Sequence, residues 1–544
     1  MAYADLREFI DTLEKHGELK RVRREVDWRY ELAGWIRKSY DVQPRGPALL
    51  FENVRGYPGQ RVFAGGVASY RRYALALGLS PDTHLKDIIH TYSQRLSSRL
   101  KPCLVNSGSV KEQIYKGDAI KLSRLPIPWY FPLDGGRYIG TWVAILTKNR
   151  ETGTRNLGTY RVQVLNDKEV LIGFLPFSHM GLHYSQAMAA NAPLEVAIII
   201  GADETVPMAA SMGLPENVDE YEVSGALREA AVDLIKCETV DLEVPANAEV
   251  VLEGRIMPNR FHSEGPFGEY TGYHAGGVRT RPIVEVTCVT HRKDAILRGY
   301  LCGKPIIEGN ISASIHISAL GTRFFEDSGT PGVKTIYCPA EGPSTLSAII
   351  QMKPHYVGHT RDVARAWLSS QAGSRSKYVV VVDEDIDPYD LSQVWWAIMT
   401  RTQGSRDIEV LKFGRTSRSD PSVPKNQGEY TDKVIIDASN KLDYPFVPEW
   451  NGHWAPVSMP PEEIMQLVEK KWQEEENGVS SDQTDAAGRE LIDRMHERWG
   501  EWRAIHYVPK PEEVEKDRYL SYPKVTGDLG TSDSMEPTRY EEEE

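Results

Sequence analysis

The apolar positions along the chain separate into two periods. Leu6, Phe9, Ile10 and Leu13 recur at i, i+3, i+4 and i+7, the stripe of a helix with one buried face. Gly17 follows and can take the left-handed conformation that ends a helix. Up to about residue 110, strand-like runs at Ala48–Phe51 and Gln60–Ala64 alternate with helical stretches at Ser69–Leu77 and His84–Ser98. That alternation predicts an N-terminal α/β domain over residues 1–117. Pro126, Pro128 and Pro132 suit neither a helix interior nor a central strand and mark a boundary.

From 118 to 305 the texture is mostly strand. Runs at Ile139–Thr147, Thr159–Leu165, Val170–Leu175, Val196–Ile200, Val240–Val244, Val250–Ile256, Ile283–Thr290 and Ala295–Leu301 predict a barrel or sandwich. A helix over Val223–Leu234 interrupts it. Residues 306–457 return to α/β. Lys377–Val382 is a continuous β-branched run of the kind a buried parallel sheet requires. A helix over Asp390–Arg401 follows, carrying Leu391, Val394, Trp395 and Ile398. Residues 458–525 form a helical extension: one helix from Pro460–Pro461 to Glu475, a polar linker at Glu476–Asp485, and a second helix to about Trp502. The acidic stretch 526–544 reads as disordered. The fold class is therefore mixed α/β.

Composition narrows the class without naming the chemistry. The chain has 544 residues and a net charge of −13, which argues against a nucleic-acid binder. The longest apolar runs, Leu194–Ala202 and Tyr378–Val382, fall far short of the ~20 residues of a membrane helix. No signal-peptide pattern opens the chain. The five cysteines, Cys103, Cys237, Cys288, Cys302 and Cys338, are scattered and form no CxxC pair. The expectation is a soluble, cytoplasmic protein of a reducing compartment, without a membrane or nucleic-acid partner.

There is no P-loop, GxGxxG, HExxH or GxSxG sequence. Asp383, Asp385 and Asp387 resemble the start of a calcium loop, but Val394 stands where its closing glutamate belongs. They read as acids at a strand end. Two stretches carry more. In Asn156–Val164 an extended chain puts Thr159, Arg161 and Gln163 on one face. Arg161 then points either to solvent or into a polar cavity. In Glu264–Gly272 two carboxylates five apart, Glu264 and Glu269, lie on a tight turn with Gly265, Pro266 and Gly268 between them. Paired carboxylates in different environments can hold separated pKa values, one an anion and one an acid. The nearby aromatics Phe267 and Tyr270 suggest that the turn is covered.

Together these stretches resemble the UbiD family of decarboxylases, which use prenylated FMN. The matching segments are N-L-G-T-Y-R at Asn156–Arg161, S-H-M-G at Ser178–Gly181 and E-V-S-G-A-L at Glu222–Leu227. E-G-P-F-G-E-Y-T-G-Y at Glu264–Tyr273, K-Y-V-V-V-V-D-E-D at Lys377–Asp385 and W-A-I-M-T-R at Trp396–Arg401 follow in the family's order. The resemblance implies a central flavin-reductase-like split β-barrel between the two α/β domains. It implies that Asn156, His179 and Glu222 hold a divalent ion, usually manganese, that bridges to the flavin phosphate. Thr159, Tyr160, Arg161, Ser178, Met180 and Gly181 match cofactor-contacting positions, and Lys377 matches a lysine that reaches the phosphate. Carbonyls around Ala210–Met212 and Arg406 are candidates for a potassium ion.

The family's catalytic trio maps to Arg161, Glu264 and Glu269. The implied activity is reversible, non-oxidative decarboxylation of an aromatic, heteroaromatic or α,β-unsaturated acid, with Glu269 protonating the carbon that loses carbon dioxide. Ser178, Tyr270, Ile315, His316 and the segment Tyr444–Val447 are candidate substrate contacts. His316 would either bond a polar substituent or cap a core helix. Implied partners are the prenyltransferase that makes the cofactor and further copies of the chain, as a dimer or hexamer built through the C-terminal domain. The alternatives are an oxidoreductase using ordinary FMN on the same barrel and a non-catalytic oligomeric member of the family.

Overall fold

The helix Leu6–Lys15 forms as its stripe predicts. Asp5 caps it by accepting from the amides of Arg7 and Glu8, all four apolar stripe residues are buried, and Gly17 sits at φ +70°. The computed structural model describes residues 3–42, 45–140, 142–424, 427–447, 452–478 and 482–506. It divides into two units, 1–440 and 441–544.

Four sheets make up the described part of the first unit. A four-stranded sheet runs in the order Leu19–Val22, Ala48–Phe51, Arg61–Ala64, Ile296–Arg298. Its last strand is a correction, because the run Ala295–Leu301 pairs in parallel with Arg61–Phe63 and not with the strands of the barrel. A three-stranded sheet joins Cys103–Leu104, Asp233–Lys236 and Glu243–Pro245.

The nine-stranded sheet positions the site. Its path is Tyr138–Gly140, Arg161–Val164, Glu169–Gly173, Arg279–His291, Val250–Glu264, Leu194–Ile200, Ala144–Lys148, Arg155–Thr159, with Gln113–Lys116 attached to Arg279–His291. Arg155–Thr159 and Arg161–Val164 lie near opposite ends of this path, yet only Tyr160 separates them in sequence. A single residue spans less than ~4 Å, so the sheet must curl until its two ends nearly meet. The result is a half-barrel whose seam is Tyr160. The expected single strand Thr159–Leu165 is thus two strands broken at the seam. Local alternation cannot register such a break, because it is set by pairing with distant partners.

Two further expectations change for similar reasons. The helix over Val223–Leu234 is instead a helix at Glu220–Arg228, ended by Glu229 in the left-handed conformation, and then a strand at Asp233–Lys236. Val250–Ile256 extends to Glu264 as a 15-residue strand. Glu264 therefore belongs to a strand end and only Glu269 to the turn.

The helix Glu308–Asp327 was not anticipated. It is buried on several sides, with Ser312, Ser314, Ser318 and Gly321 inward, so no polar stripe marks its period. The Ser318 hydroxyl is satisfied within the helix by the carbonyl of Ser314.

The five-stranded sheet runs Val333–Tyr337, Ser347–Met352, Tyr378–Val382, Tyr430–Ala438, Ile408–Arg415. Tyr378–Val382 is parallel to both neighbours, as its unbroken β-branched run predicts. The helix Leu391–Arg401 is capped by Asp390 and buries Val394 and Ala397, but Trp395 is 63% exposed. In the second unit, helices form at Glu462–Glu476 and Asp482–His506, the second starting within the expected linker Glu476–Asp485. The acidic stretch 526–544 lies outside the described residues. No helix among the described residues is long and apolar enough to cross a membrane.

Candidate active site

Arg161 and Gly173 face each other across two antiparallel strands. A Cβ at Gly173 would lie 2.9 Å from Arg161 Nε, so glycine there leaves room for the guanidinium to fold across the sheet. The Arg161 side chain is mostly buried, 12% exposed. Its Nε and Nη2 donate to the two oxygens of Glu264, each at 2.8 Å, and its Nη1 donates to Glu269 Oε1 at 2.5 Å. The Phe267 ring packs on the guanidinium at 5.4 Å. The Tyr138 hydroxyl donates to Glu264 Oε1 at 2.9 Å. The sequence-predicted trio is therefore one contiguous cluster, and the open question about Arg161 resolves to the polar cavity.

The two carboxylates differ. Glu264 is fully buried and receives a two-pronged guanidinium and a phenol. Glu269 receives one arm of the guanidinium and interacts with the Ser419 side chain. Burial is the largest influence on Glu269 and pushes its pKa above the ordinary carboxyl range, against the opposing pull of Arg161. Burial works against the charge of Arg161, but the two carboxylates outweigh it and raise its pKa. Burial, then Glu264, also raises the Tyr138 phenol. Arg281 completes the surroundings, with Nε 3.9 Å from Glu264 Oε2; burial and then Arg161 lower its pKa.

The segment after Glu264 is built on close backbone approach. Gly265 has φ +90°, and a Cβ there would lie 2.6 Å from the Gly277 carbonyl oxygen. A Cβ at Gly135 would lie 2.1 Å from the carbonyl oxygen of Gly265. Gln163 bridges the two sides, donating to the Gly135 carbonyl and accepting from the amide of Gly265. Tyr138, Gln163, Asp134 and Gly135 were not among the sequence candidates. The only local signal is an aspartate followed by two glycines just after the proline boundary.

The expected metal and cofactor residues gather around the seam. The Tyr160 hydroxyl interacts with the side chains of Ser178 and Asn156 and with the backbone of Met180. Ser178 caps the helix His179–Ala189, accepting from the Gly181 amide at 3.2 Å. A Cβ at Gly181 would lie 2.3 Å from the Leu175 carbonyl oxygen. Thr159 ends the strand that carries Asn156. Glu222 lies in the first turn of the helix Glu220–Arg228, and that turn is tied to the same strand. Arg155 bonds Asp219, and the Leu157 amide donates to Glu220 Oε2 at 2.9 Å.

Asn156 is buried and its Nδ2 has no hydrogen-bond partner. An amide oxygen, an imidazole and a carboxylate are donor types that a fairly hard divalent ion takes, and Asn156, His179 and Glu222 offer one of each. The residues present thus fit the implied metal. Behind them, the neutral His183 imidazole, lowered to about 4 by burial, meets Thr147 Oγ1 at 2.9 Å.

Lys377 Nζ donates to Asp420 Oδ2 at 3.1 Å. The carbonyl of Arg406 accepts from Arg361, and Ala210–Met212 closes the helix Thr205–Ala210. Tyr270 meets Thr345 Oγ1 at 3.1 Å. Ile315 and His316 are buried inside the helix Glu308–Asp327, so His316 caps nothing; burial lowers its imidazole to about 4. Tyr444–Val447 belongs to the second unit, where Val447 pairs with Gly452.

Residues 10–92, 103–305 and 312–438 match the N-terminal, Rift-related and C-terminal domains of the family described as 3-octaprenyl-4-hydroxybenzoate carboxy-lyase, UbiD. An uncharacterized protein of Aquifex aeolicus is 34% identical over 491 residues, which cover 86% of this chain and 98% of that protein. The vanillic acid decarboxylase of Sedimentibacter hydroxybenzoicus, solved in an open form, is 32% identical, with a TM-score of 0.78 over 88% of this chain and 100% of that one. An evolved dimeric form of the UbiD-class enzyme HmfF from Pelotomaculum thermopropionicum, solved with prFMN, is 31% identical, with a TM-score of 0.72 over 84% of this chain and 97% of that one.

Proposed function

The chain belongs to the UbiD family of carboxy-lyases, and from that premise we propose that it decarboxylates an aromatic, heteroaromatic or α,β-unsaturated acid at the Arg161–Glu264–Glu269 cluster, with prenylated FMN bound beside it. The observation that carries this reading is the asymmetry of the two carboxylates on one guanidinium. An oxidoreductase transferring hydride has no use for such an acid–base pair.

The roles follow from the contacts. Glu264, held by Arg161 and Tyr138, fixes the guanidinium. Arg161 orients the substrate carboxylate over the half-barrel. Glu269, whose pKa burial raises, delivers a proton from its carboxyl oxygen to the carbon that has lost carbon dioxide. In the carboxylation direction the same oxygen takes that proton back. Prenylated FMN, when bound, supplies the ring system that accepts the electron pair released as carbon dioxide departs. Asn156, His179 and Glu222 would hold a divalent ion, manganese or one like it, and Thr159, Tyr160, Ser178, Met180, Gly181 and Lys377 would complete the cradle of the cofactor. Potassium near Ala210–Met212, homo-oligomerisation, a cytoplasmic location and supply of cofactor by a prenyltransferase belong to the same reading.

The test begins with protein co-produced with that prenyltransferase. Cofactor released from it is weighed by mass spectrometry, and carbon dioxide release is screened over vanillic, cinnamic and furoic acids. Prenylated FMN and turnover of at least one acid are expected. Ordinary FMN only, with no turnover under the same loading, would overturn the reading.

A further inference from the structure

The side chain of Asp134 is fully buried, yet it makes no ion pair with the trio. Its oxygens serve one loop. Oδ2 accepts from the Phe131 amide at 3.1 Å, within its own turn. Oδ1 accepts from the Gly268 amide at 3.0 Å and from His274 Nε2 at 3.0 Å. Those two donors flank Glu269, one residue before it and five after.

Neighbouring bonds tie the first arm to the Asp134 turn and close the loop on itself. The Gly135 amide donates to the Pro266 carbonyl at 2.8 Å, and the Glu269 amide donates to the Tyr273 carbonyl at 3.0 Å. Phe131 supports both, with its ring against Gly268 and edge-on to His274 at 5.6 Å. Asp134 thus anchors both arms of the closed loop to its own turn. Burying a carboxylate is costly unless its lone pairs are matched, and here they are matched by groups that fix this loop.

We propose that Asp134 and His274 form a latch that positions Glu269 against Arg161, so that both are positioning residues for the proton-transfer step. The inference rests on the reading of Glu269 as proton donor. Asp134 itself touches neither Arg161 nor Glu269. Its influence passes through the Gly268 amide and the His274 ring. The arrangement places the proton donor on a turn yet holds it with a rigid anchor, the segment leading into the strand Tyr138–Gly140. Displacement of a reacting group by ~1 Å can cost on the order of 100-fold in rate, so a latch on this loop has a large lever.

Two measurements test the latch on the full-length chain. In hydrogen exchange, His274→Ala should speed exchange of the Gly268, Glu269 and Gly272 amides at least about tenfold, by loss of the anchoring bond. His274→Gln, whose amide nitrogen can donate to the same oxygen, should exchange like the parent. With cofactor-loaded enzyme and an acid that it turns over, His274→Ala should lower kcat by about 10–100-fold with little change in KM. His274→Gln should recover most of the rate. Asp134→Asn, checked for folding by thermal melting, should speed exchange at the same amides.

Unchanged exchange in His274→Ala, equal exchange in the Ala and Gln variants, or a rise in KM in place of the fall in kcat would each overturn the latch. Glu269→Gln separates the two readings. If that variant keeps full activity, the role of Glu269 fails, whereas the exchange result still decides whether the loop is latched.

Discussion

Two clusters in the first unit have the same composition, one arginine between two glutamates. In one, Arg161 joins Glu264 and Glu269. In the other, Arg298 joins Glu204 at 2.8 Å and Glu308 at 2.5 Å. In the second cluster every member is buried, with Arg298 on a strand, Glu308 in a helix and Glu204 at a helix N-cap. Glu308 also accepts from the amides of Gly65 and Val67 and from the Tyr40 hydroxyl. Glu204 also accepts from Trp142 Nε1 at 2.6 Å. All three side chains are satisfied, and the cluster pins the N-terminal sheet to the helices that begin near Glu204 and Glu308. In the first cluster only Glu264 is satisfied to that degree. Glu269 sits on a turn and relies on one guanidinium arm and Ser419. The lesson is that ion-pair composition does not separate scaffold from chemistry. The separation lies in how many donors hold each carboxylate and in whether its backbone is a strand, a helix or a loop.

Removing the central cation should separate the clusters most strongly. Arg298→Leu leaves two buried carboxylates without a counter-ion and should cost about 3–5 kcal/mol, enough to leave much of the chain unfolded in a denaturant melt. A variant with parental stability would refute the structural role of this cluster.

Glu269→Gln should do the opposite. Decarboxylation should fall by about 100–10,000-fold, the range supplied by a general acid, while the melting temperature holds or rises. Bound cofactor should persist in its absorbance spectrum.

A smaller, paired contrast comes from the neutral donors. Tyr138→Phe and Trp142→Phe each remove one hydrogen bond to a buried carboxylate, worth about 1.5–3 kcal/mol. Both should lower the melting temperature, but only Tyr138→Phe should lower kcat. Equal kinetic effects would dissolve the distinction.

The smallest effect is in the pH dependence of stability. Glu269 has a raised pKa in the fold, so its contribution is present below the ordinary carboxyl range and is lost as pH rises through the raised value. Melting temperatures measured against pH should therefore fall less steeply over that window in Glu269→Gln than in the parent. Turnover should decline through the same window as the proton donor ionises.

Much of this was legible along the chain. The helix Leu6–Lys15, the strand Ala48–Phe51 and the parallel strand Tyr378–Val382 follow from patterns of a few residues, and the structure agrees. The motif residues of the trio were also legible, through their resemblance to a family. Asp134, Gln163 and Tyr138 were not, because their partners lie 134, 102 and 126 residues away in numbering and nothing local marks them. Position in the chain likewise hides the strand break at Tyr160 and the helix Glu308–Asp327, whose burial on several sides erases its period.

Periodicity, turn residues and charge act over a few neighbours, so the sequence by itself determined the locally patterned elements, the mixed α/β class and the chemical types available at Arg161, Glu264 and Glu269. Only the curled sheet decided that Arg161 crosses Gly173 to meet a carboxylate from a distant strand end, and that burial raises the pKa of Glu269. Those outcomes depend on desolvation and on donor counts. Both are properties of the surroundings that the fold assembles, and no local run of residues carries them.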